Sequence, residues 1–221
     1  MFRKIAIATG LAVMAFVSAR AQEEGAATPV PQKSLAAYGS NILRLAPVTV
    51  MDIGLGFGAS YERILGRSKM IGIVLPVSLL LEHKDDLGTQ YGSSARYNVY
   101  VYFTPGVKIY PFGQHKVTYA VGPNLLLGYG GGSGWQYRTD PYGGMLRDDV
   151  KTTRFRMGVL INNYVNFQVS KAFNIGLEGG LGMRYIDRIS YSGTQYYAGN
   201  GDFSNGFDIT GQFSFTLGYR F

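Results

Sequence analysis

The sequence predicts an all-β protein whose eight antiparallel strands close into an up-and-down transmembrane β-barrel. Three observations lead to this class. Eight stretches alternate apolar with polar residues at a period of two, as strands do when one face is apolar and the other is wet. Several of these stretches exceed the roughly five or six residues that are common in soluble sheets. Their connections alternate between tight turns and longer loops, which is typical of membrane-spanning barrels.

The eight predicted strands place most of their apolar residues at odd positions. They cover residues 40–48, 52–65, 70–84, 94–112, 117–130, 152–169, 174–188 and 207–221. The first is the weakest, because only Leu43, Leu45 and Pro47 oppose Arg44. In the second, Leu55 and Phe57 alternate with glycines, and in the third the apolar row runs up to Glu82.

The later stretches show the same parity more clearly. The fourth alternates valines with asparagine and tyrosines, and the fifth places Val121, Leu125 and Leu127 at odd positions. The sixth sets Val159 and Ile161 against Asn162. The seventh sets an odd apolar row against glycines, Glu178 and two arginines. Because the apolar residues fall mainly at odd numbers in all eight stretches, the sequence predicts one continuous apolar surface and one polar surface.

The connections divide into two groups by length. Residues 66–69, 113–116 and 170–173 form tight links, whereas residues 85–93, 131–151 and 189–205 form longer loops rich in Gly, Asp, Ser and Tyr. A further outer connection at about 49–51 is short. Short turns are expected on the periplasmic side and long loops outside. The even number of strands then brings both ends of the barrel to the periplasmic side.

The last stretch carries the strongest alternation. Its odd row is apolar or aromatic apart from one glycine, and its even row is polar apart from another. It resembles the C-terminal assembly signal of bacterial outer-membrane barrels, and the residues of that predicted signal are Phe213, Phe215, Leu217, Tyr219 and Phe221. A buried strand of a soluble sandwich is the alternative for this stretch alone. A lipocalin-like barrel would point its apolar face inward, although here the polar face holds the glycines and charges of a narrow lumen.

Composition restricts the class of protein further. The chain has 221 residues, no cysteine and a mean hydropathy of +0.02. A bundle of transmembrane helices would need several runs of about 20 apolar residues, which are absent from the sequence. The lack of cysteine removes disulfides, thiolate chemistry and a lipoprotein anchor. We therefore expect no cofactor and no metal.

The first 21 residues have the pattern of a secretory signal peptide. Arg3 and Lys4 precede an apolar run, and Ala19 and Ala21 supply the small residues of a cleavage site. Residues 22–39 lack periodicity and contain two prolines, which predicts a flexible periplasmic arm before the barrel at 40–221. Much of the net charge of +7 belongs to the signal segment, so the sequence gives no reason to expect a nucleic-acid partner.

Two short segments resemble a known group of proteins. Asn41 to Leu45, followed by Gly58 to Arg63, resembles the opening of small, largely uncharacterised outer-membrane barrels. The architecture is similar to that of the OmpA-barrel, OmpX and OmpW kind. This resemblance implies a fold and a location in the bacterial outer membrane, reached by export and insertion, with outer-membrane lipid and the barrel-assembly machinery as partners. It carries no catalytic residue.

Charged residues at even positions are expected in the lumen. The acids are Asp52, Glu62, Glu82, Glu178 and Asp208, and the bases are Arg44, Lys84, Arg96, Lys108, Arg154, Arg156, Arg184, Arg188 and Arg220. An eight-stranded barrel is just wide enough for its side chains to fill it. The predicted lumen charge network consists of Glu62, Arg96, Arg154, Arg156, Glu178 and Arg184. We expect Glu62 and Glu178 each to meet at least one arginine, because unpaired buried charges are costly.

The residues that could carry chemistry favour other roles. The two histidines, His83 and His115, lack the serine and asparagine pattern of lipid-modifying barrel enzymes. The glycine runs at 54–58 and 128–132 open no helix, so they do not form phosphate loops. The aromatic and acidic side chains of 131–151 favour an interfacial belt with solvated charges, with glycan or calcium binding as the alternative.

Taken together, these patterns predict a monomeric outer-membrane barrel with a structural or cell-surface interaction role. Its lumen is expected to be filled by charged side chains, and its surface ligand is not identified by any motif. The alternative is a small OmpW-like channel or transporter for small solutes, which the excess of lumen bases would favour. An envelope lipid-modifying enzyme is the third hypothesis, and we expect no enzymatic activity.

Overall fold

The computed structural model describes residues 38–52, 54–66, 68–83, 91–92, 97–139, 142–193, 203–204 and 207–221. The predicted signal peptide and nearly all of the predicted arm lie outside these residues. The described strands are β1 (Asn41–Met51), β2 (Gly54–Leu65), β3 (Ile71–His83), β4 (Tyr91–Gly92), β5 (Tyr97–Phe103), β6 (Gly106–Ile109), β7 (Val117–Thr139), β8 (Met145–Gln168), β9 (Phe173–Gly193), β10 (Phe203–Ser204) and β11 (Asp208–Arg220). No helix in this part of the chain is long and apolar enough to cross a membrane.

The strands form one closed antiparallel barrel with eight strand positions around its circumference, which we call walls. β1, β2 and β3 pair in sequence order, β5 and β6 together make the fourth wall, and β7, β8, β9 and β11 complete the ring. β11 pairs with β1, where Asn41 and Phe221 exchange two backbone hydrogen bonds of 3.0 and 2.9 Å. The predicted up-and-down barrel of eight strands is therefore confirmed. Closure pairs the first and last strands of the described wall, as a hydrocarbon environment requires.

The alternation of side chains between the two surfaces follows the predicted parity over most of the barrel. On β8, Leu160 is fully buried while its neighbour Ile161 is 61% exposed. On β9, Glu178 is buried and Leu181 is 71% exposed. The large apolar residues therefore cover the outside, and the polar residues, together with a few apolar ones, fill the inside. This is the inverse of a soluble barrel.

A bulge in β1 exchanges the inward and outward positions of the residues that follow it. Two expectations about these residues are therefore wrong. The register of β1 against both neighbours shifts between Leu45 and Thr49. Beyond the shift, Thr49 and Met51 are buried, although their odd numbers predicted an outward or loop position. The predicted outer connection at 49–51 is wrong, because these residues belong to the strand. The chain turns instead at Asp52, whose φ of 54° is left-handed. The extra residue fits beside Pro47, which has no N–H for the ladder.

A second bulge, in β9, exchanges the inward and outward positions at the outer end of that strand. Met157 pairs with Ile186 and Gly158 pairs with Arg184, so Tyr185 is the extra residue. Beyond it Asp187 turns into the lumen, with a side chain only 11% exposed, whereas Arg188 is exposed. The placement of Arg188 in the lumen was therefore wrong, and Asp187 takes the inward position. Bulges near barrel rims commonly re-aim a side chain in this way.

The predicted outer loop at 131–151 is mostly sheet. β7 pairs with β8 without interruption up to Thr139 and Met145, and β9 continues to Gly193 alongside β8. β5 stops pairing with β7 at Gly131, and farther out the two-residue β4 pairs with β7 at Trp135 and Gln136. From Gly131 to Thr139 the extension measures roughly 27 Å at about 3.4 Å per residue. We call this three-stranded segment the outer extension: residues 132–139, 145–153 and 189–193.

A side chain replaces a missing strand hydrogen bond in the middle of the wall. Thr104 N donates to Pro76 O at 3.0 Å, and the reciprocal bond of such a pair cannot form because proline has no N–H. The buried Asn124 donates from Nδ2 to Thr104 O at 2.9 Å and so satisfies this carbonyl. Leaving this buried carbonyl unsatisfied would cost about 1–3 kcal/mol.

Candidate functional site: the barrel lumen

The lumen contains two groups of ion pairs, one near the tight turns and one near the outer end. The lower cluster consists of Arg44, Glu62, Lys108 and Glu178. The upper cluster consists of Asp52, Glu82, Arg154, Arg156, Arg184, Asp187 and Asp208. The members come from the inward rows of several strands, so residues far apart in sequence meet across the barrel.

Glu62 is the centre of the lower cluster. It is fully buried and accepts hydrogen bonds from Arg44 Nη1, from Tyr110 Oη, and from Lys108 Nζ at 3.0 Å. Lys108, also fully buried, lies 3.7 Å from Glu178 Oε1. The cation beside Glu178 is thus a lysine rather than the expected arginine. Two carboxylates and two cations balance one another, which offsets the large desolvation penalty of burying charge.

Polar side chains attach the lower cluster to the opposite wall. Lys108 Nζ lies 3.9 Å from the centroid of the Tyr164 ring, close enough for a cation–π contact. Tyr164 Oη donates to Asn124 Oδ1 at 2.8 Å, and Asn162 Nδ2 donates to Tyr164 Oη at 3.3 Å. Together with the bond from Asn124 to Thr104, these contacts join the fourth, fifth and sixth walls of the barrel.

Arginines dominate the upper cluster. Arg154 makes two hydrogen bonds to the carboxylate of Asp187, a forked arrangement that fits guanidinium geometry. Arg156 donates to Tyr102 Oη at 2.5 Å and to both oxygens of Glu82 at 3.3 Å. Its guanidinium also lies 4.7 Å from the centroid of the Tyr100 ring.

Arg184, the third arginine of the upper cluster, connects the outer ends of β1, β9 and β11. Arg184 on β9 donates to Asp52 Oδ2 at 2.9 Å, just after β1, and to Asp208 Oδ2 at 2.5 Å on β11. Thr210 Oγ1 donates to Asp52 Oδ1 at 2.7 Å. These contacts lie beside the seam where the barrel closes. The left-handed turn at Asp52 therefore positions a carboxylate toward that seam.

An apolar layer separates the two clusters. On β8, Leu160 lies between Arg156 and Tyr164, and on β3, Leu80 precedes Glu82. The buried apolar residues of this layer are Met51, Leu80, Tyr100, Tyr102, Leu126 and Leu160, each at most 2% exposed. Buried side chains therefore occupy three successive levels of the lumen.

The residues predicted for the lumen network are distributed over both clusters. Glu62 and Glu178 belong to the lower cluster, and Arg154, Arg156 and Arg184 belong to the upper one. Arg96 lies outside the described residues. Sequence reasoning missed Tyr110 and Asp187 as partners. Tyr110 shares the inward parity and could have been included, whereas Asp187 has the outward parity and is revealed only by the bulge.

The five residues of the predicted assembly signal lie on the outward row of β11. Phe213, Tyr219 and Phe221 are 50%, 59% and 57% exposed, and Phe215 and Leu217 are half-buried. The rings of Tyr219 and Phe221 are stacked with centroids 6.1 Å apart. An aromatic row therefore faces away from the lumen beside the seam with β1. Its role in assembly stays a prediction.

The described residues contain no group of three or more His, Asp or Glu side chains that could hold a metal ion. His115 lies in the turn before β7, where its backbone N–H donates to Thr118 Oγ1 at 3.1 Å and its ring nitrogen contacts Phe112 O at 2.5 Å. These are turn contacts. The side chain of His83 lies outside what the structure describes.

Comparison with known proteins identifies the fold but no family. No family model and no curated protein sequence matches the chain. Among solved structures, a major outer membrane protein from Thermus thermophilus is similar, with a TM-score of 0.58, 14% identity, and coverage of 82% of this chain and 98% of that one. Neisserial surface protein A gives a TM-score of 0.44 at 13% identity, over 82% of this chain and 96% of that one. Ail of Yersinia pestis gives 0.43 at 11%, over 83% and 99%. The Thermus likeness supports the barrel fold.

Proposed function

We propose that this protein is an outer-membrane barrel with a closed lumen and that its outer extension serves as an interaction surface at the cell exterior. The observation that carries the proposal is the inverted distribution of side chains. Apolar residues such as Leu45, Ile161 and Leu181 are 61–71% exposed on the outside, while charged pairs fill the inside. Such a surface is unfavourable in water and fits the hydrocarbon region of a bilayer.

The difference between the two ends of the barrel supports a direction of insertion. The ends at the tight turns 66–70, 110–116 and 169–172 are short, whereas β7, β8 and β9 continue well beyond the opposite end. Membrane barrels place short turns in the periplasm and longer segments outside. The outer extension would then stand on the cell surface, where a hairpin offers main-chain and side-chain groups to a partner.

Single-cysteine labelling tests the location and the direction. The chain has no cysteine, so Tyr142→Cys in the turn of the outer extension and Lys171→Cys in a tight turn each give one reactive site. A membrane-impermeant maleimide should label the Tyr142→Cys variant in intact cells, and the Lys171→Cys variant only after the envelope is broken. Labelling of the Lys171→Cys variant in intact cells would contradict the proposed direction.

Truncation of the outer extension tests the role. Residues 133–151 can be replaced by an Asn-Gly turn, because Gly132 and Thr152 are paired and a two-residue turn suits a hairpin. The truncated barrel should still insert and migrate as a folded protein on unheated gels. Cells that carry it should lose adhesion to a panel of immobilised glycans and extracellular proteins relative to cells with the full chain. Equal adhesion of both would leave a structural envelope role as the better account.

The OmpW-like channel is the competing hypothesis. The buried ion pairs and the packed apolar layer argue against it, since a solute would have to displace these side chains to pass. An envelope enzyme is the third hypothesis, and no observation on the described residues specifically favours it. A measurement of conductance separates the first alternative from the proposal.

A further inference from the structure

A small polar cavity lies at the turn end of the lumen, below the lower cluster. It has a volume of about 10 Å³, and its mostly polar lining includes Arg44, Asn166, Asn174 and Arg220. This is about the room that one water-sized sphere needs. Two arginines and no carboxylate line it. It is therefore a site for something small that accepts hydrogen bonds.

Several buried polar atoms of the lining have no partner among the described residues. They are both amide atoms of Asn166, both amide atoms of Asn174, Nη2 of Arg220 and Nε of Arg44. These side chains are only 1–7% exposed. Buried amide and guanidinium N–H groups almost always have an acceptor, since leaving one unpaired costs about 1–3 kcal/mol. One acceptor in the cavity would satisfy the N–H donors among these atoms together, namely the Nδ2 groups of the two asparagines and the two guanidinium nitrogens.

The charge of Arg220 calls for an anion rather than a neutral molecule. Arg44 already pairs with Glu62, and the lower cluster is balanced. Arg220 donates from Nε to Gly39 O at 2.7 Å and lies 5.1 Å from the centroid of the Tyr38 ring. No carboxylate of the described residues pairs with it. The carboxylate of Glu62 attracts Arg220 but already accepts hydrogen bonds from Arg44 and Lys108. An anion beside Arg220 would supply the further counter-charge that a buried cation needs.

Two glycines give the asparagine amides their positions around the cavity. A Cβ at Gly176 would lie 2.7 Å from Asn166 Oδ1, and a Cβ at Gly218 would collide with the amide of Asn174. The absence of side chains at both positions lets the amides pack flat against the wall. The amides and Arg220 come from three neighbouring strands: β8, β9 and β11. The cavity is thus built by the sheet and is not a gap between flexible side chains.

We propose that this cavity binds a single halide-sized anion, with chloride as the ligand. The anion accepts hydrogen bonds from the N–H groups of Arg220, Asn166 and Asn174. Arg44 also lines the cavity. A halide is only slightly larger than a water molecule, whereas phosphate and sulfate are too large for a cavity of this size. The bound anion neutralises Arg220 and fixes the lower ends of β8, β9 and β11.

Crystallography with bromide tests the site on the full chain. Crystals grown from detergent and soaked in sodium bromide should show an anomalous peak within hydrogen-bond distance of Arg220 Nη2 and the Asn174 amide. Ordinary water density at that position, with no anomalous signal, would overturn the proposal.

Equilibrium unfolding tests it in solution. The ratio of folded to unfolded protein in lipid vesicles, at fixed urea and constant ionic strength, should rise tenfold per tenfold increase in chloride above saturation, with isethionate as the replacing anion. Arg220→Gln should abolish this dependence, and Arg63→Gln, an exposed arginine at the same end, should retain it. Asn174→Asp supplies a carboxylate in place of the anion and should fold without any chloride dependence. An unchanged chloride dependence in the Asn174→Asp variant would refute the assignment.

Discussion

At the scale of single residues, Glu62 is the centre of the lower cluster. It binds Arg44 on β1, Lys108 on β6 and Tyr110 just after β6. The sequence predicts its inward position from parity alone. It does not predict the partners, because a carboxylate in a closed barrel can reach several strands and the choice depends on tilt and on the height of each residue.

We predict that Glu62→Gln destabilises the barrel by about 3–5 kcal/mol. The substitution keeps the shape of the side chain but leaves Arg44 and Lys108 buried without a full counter-charge. Urea unfolding in lipid vesicles measures the loss.

Asp208→Asn is the matched control. Asp208 also pairs with an arginine, but its side chain is 66% exposed. Exposed pairs contribute little, so the loss should be below about 1 kcal/mol. Equal losses of unfolding free energy for the two variants would show that the burial of Glu62 does not determine the cost of removing its charge.

We predict that Asn124→Leu costs about 1–3 kcal/mol, because Thr104 O loses its donor. Pro76→Ala restores a backbone N–H opposite that carbonyl, so Asn124→Leu should cost less in the Pro76→Ala background. A double-mutant cycle by urea unfolding measures this coupling. Additive effects would contradict the view that Asn124 compensates for Pro76.

At the scale of strands, the two bulges explain where sequence reasoning failed. The period-two pattern assigned one parity to every strand, and it holds wherever the ladder is regular. In β1 and β9 one extra residue reverses the faces, so Met51 and Asp187 point inward. The outer extension was predicted as loop because its glycines, aspartates and serines resemble turn residues. Continuous pairing between β7 and β8 overrides that local preference.

A charge introduced on the outward row should destabilise the barrel more than a charge introduced on the inward row. Ile161→Arg places a guanidinium at a position that is 61% exposed, near the middle of the part of β8 that lies below the outer extension. It should cost about 2–4 kcal/mol in a bilayer. Asn98→Arg lies on the inward row opposite Glu82 and should cost less. Unfolding in vesicles that shows the reverse order would contradict the assignment of faces.

The aromatic row of β11 is predicted to act during assembly. Phe221→Ala keeps both backbone hydrogen bonds to Asn41 but removes an exposed ring, so folded stability should change little. The yield of folded barrel in cells should fall strongly, as measured by heat-modifiable migration on gels. Phe112→Ala is the matched control, since Phe112 is 69% exposed in a tight turn outside β11. Equal yields for both variants would remove the assembly role.

At the scale of the whole molecule, the fold follows from properties that sequence alone can report. Alternation gives the number of strands, and the lengths of the connections give the barrel ends. An even count of strands then permits β11 to return to β1. What the sequence could not give is the vertical arrangement of the lumen. Two ion-pair clusters with an apolar layer between them depend on the stagger of eight strands, which no local pattern encodes.

The central claim is that the lumen is closed by the two clusters and the apolar layer between them. Conductance in planar lipid bilayers tests it most directly, with insertion verified by heat-modifiable migration of the same preparation. The wild-type protein is predicted to give no discrete current steps in potassium chloride. A variant with Tyr102→Ala, Leu126→Ala and Leu160→Ala, which thins the apolar layer, serves as the comparison. Reproducible, uniform single-channel steps from the wild-type protein would contradict the account.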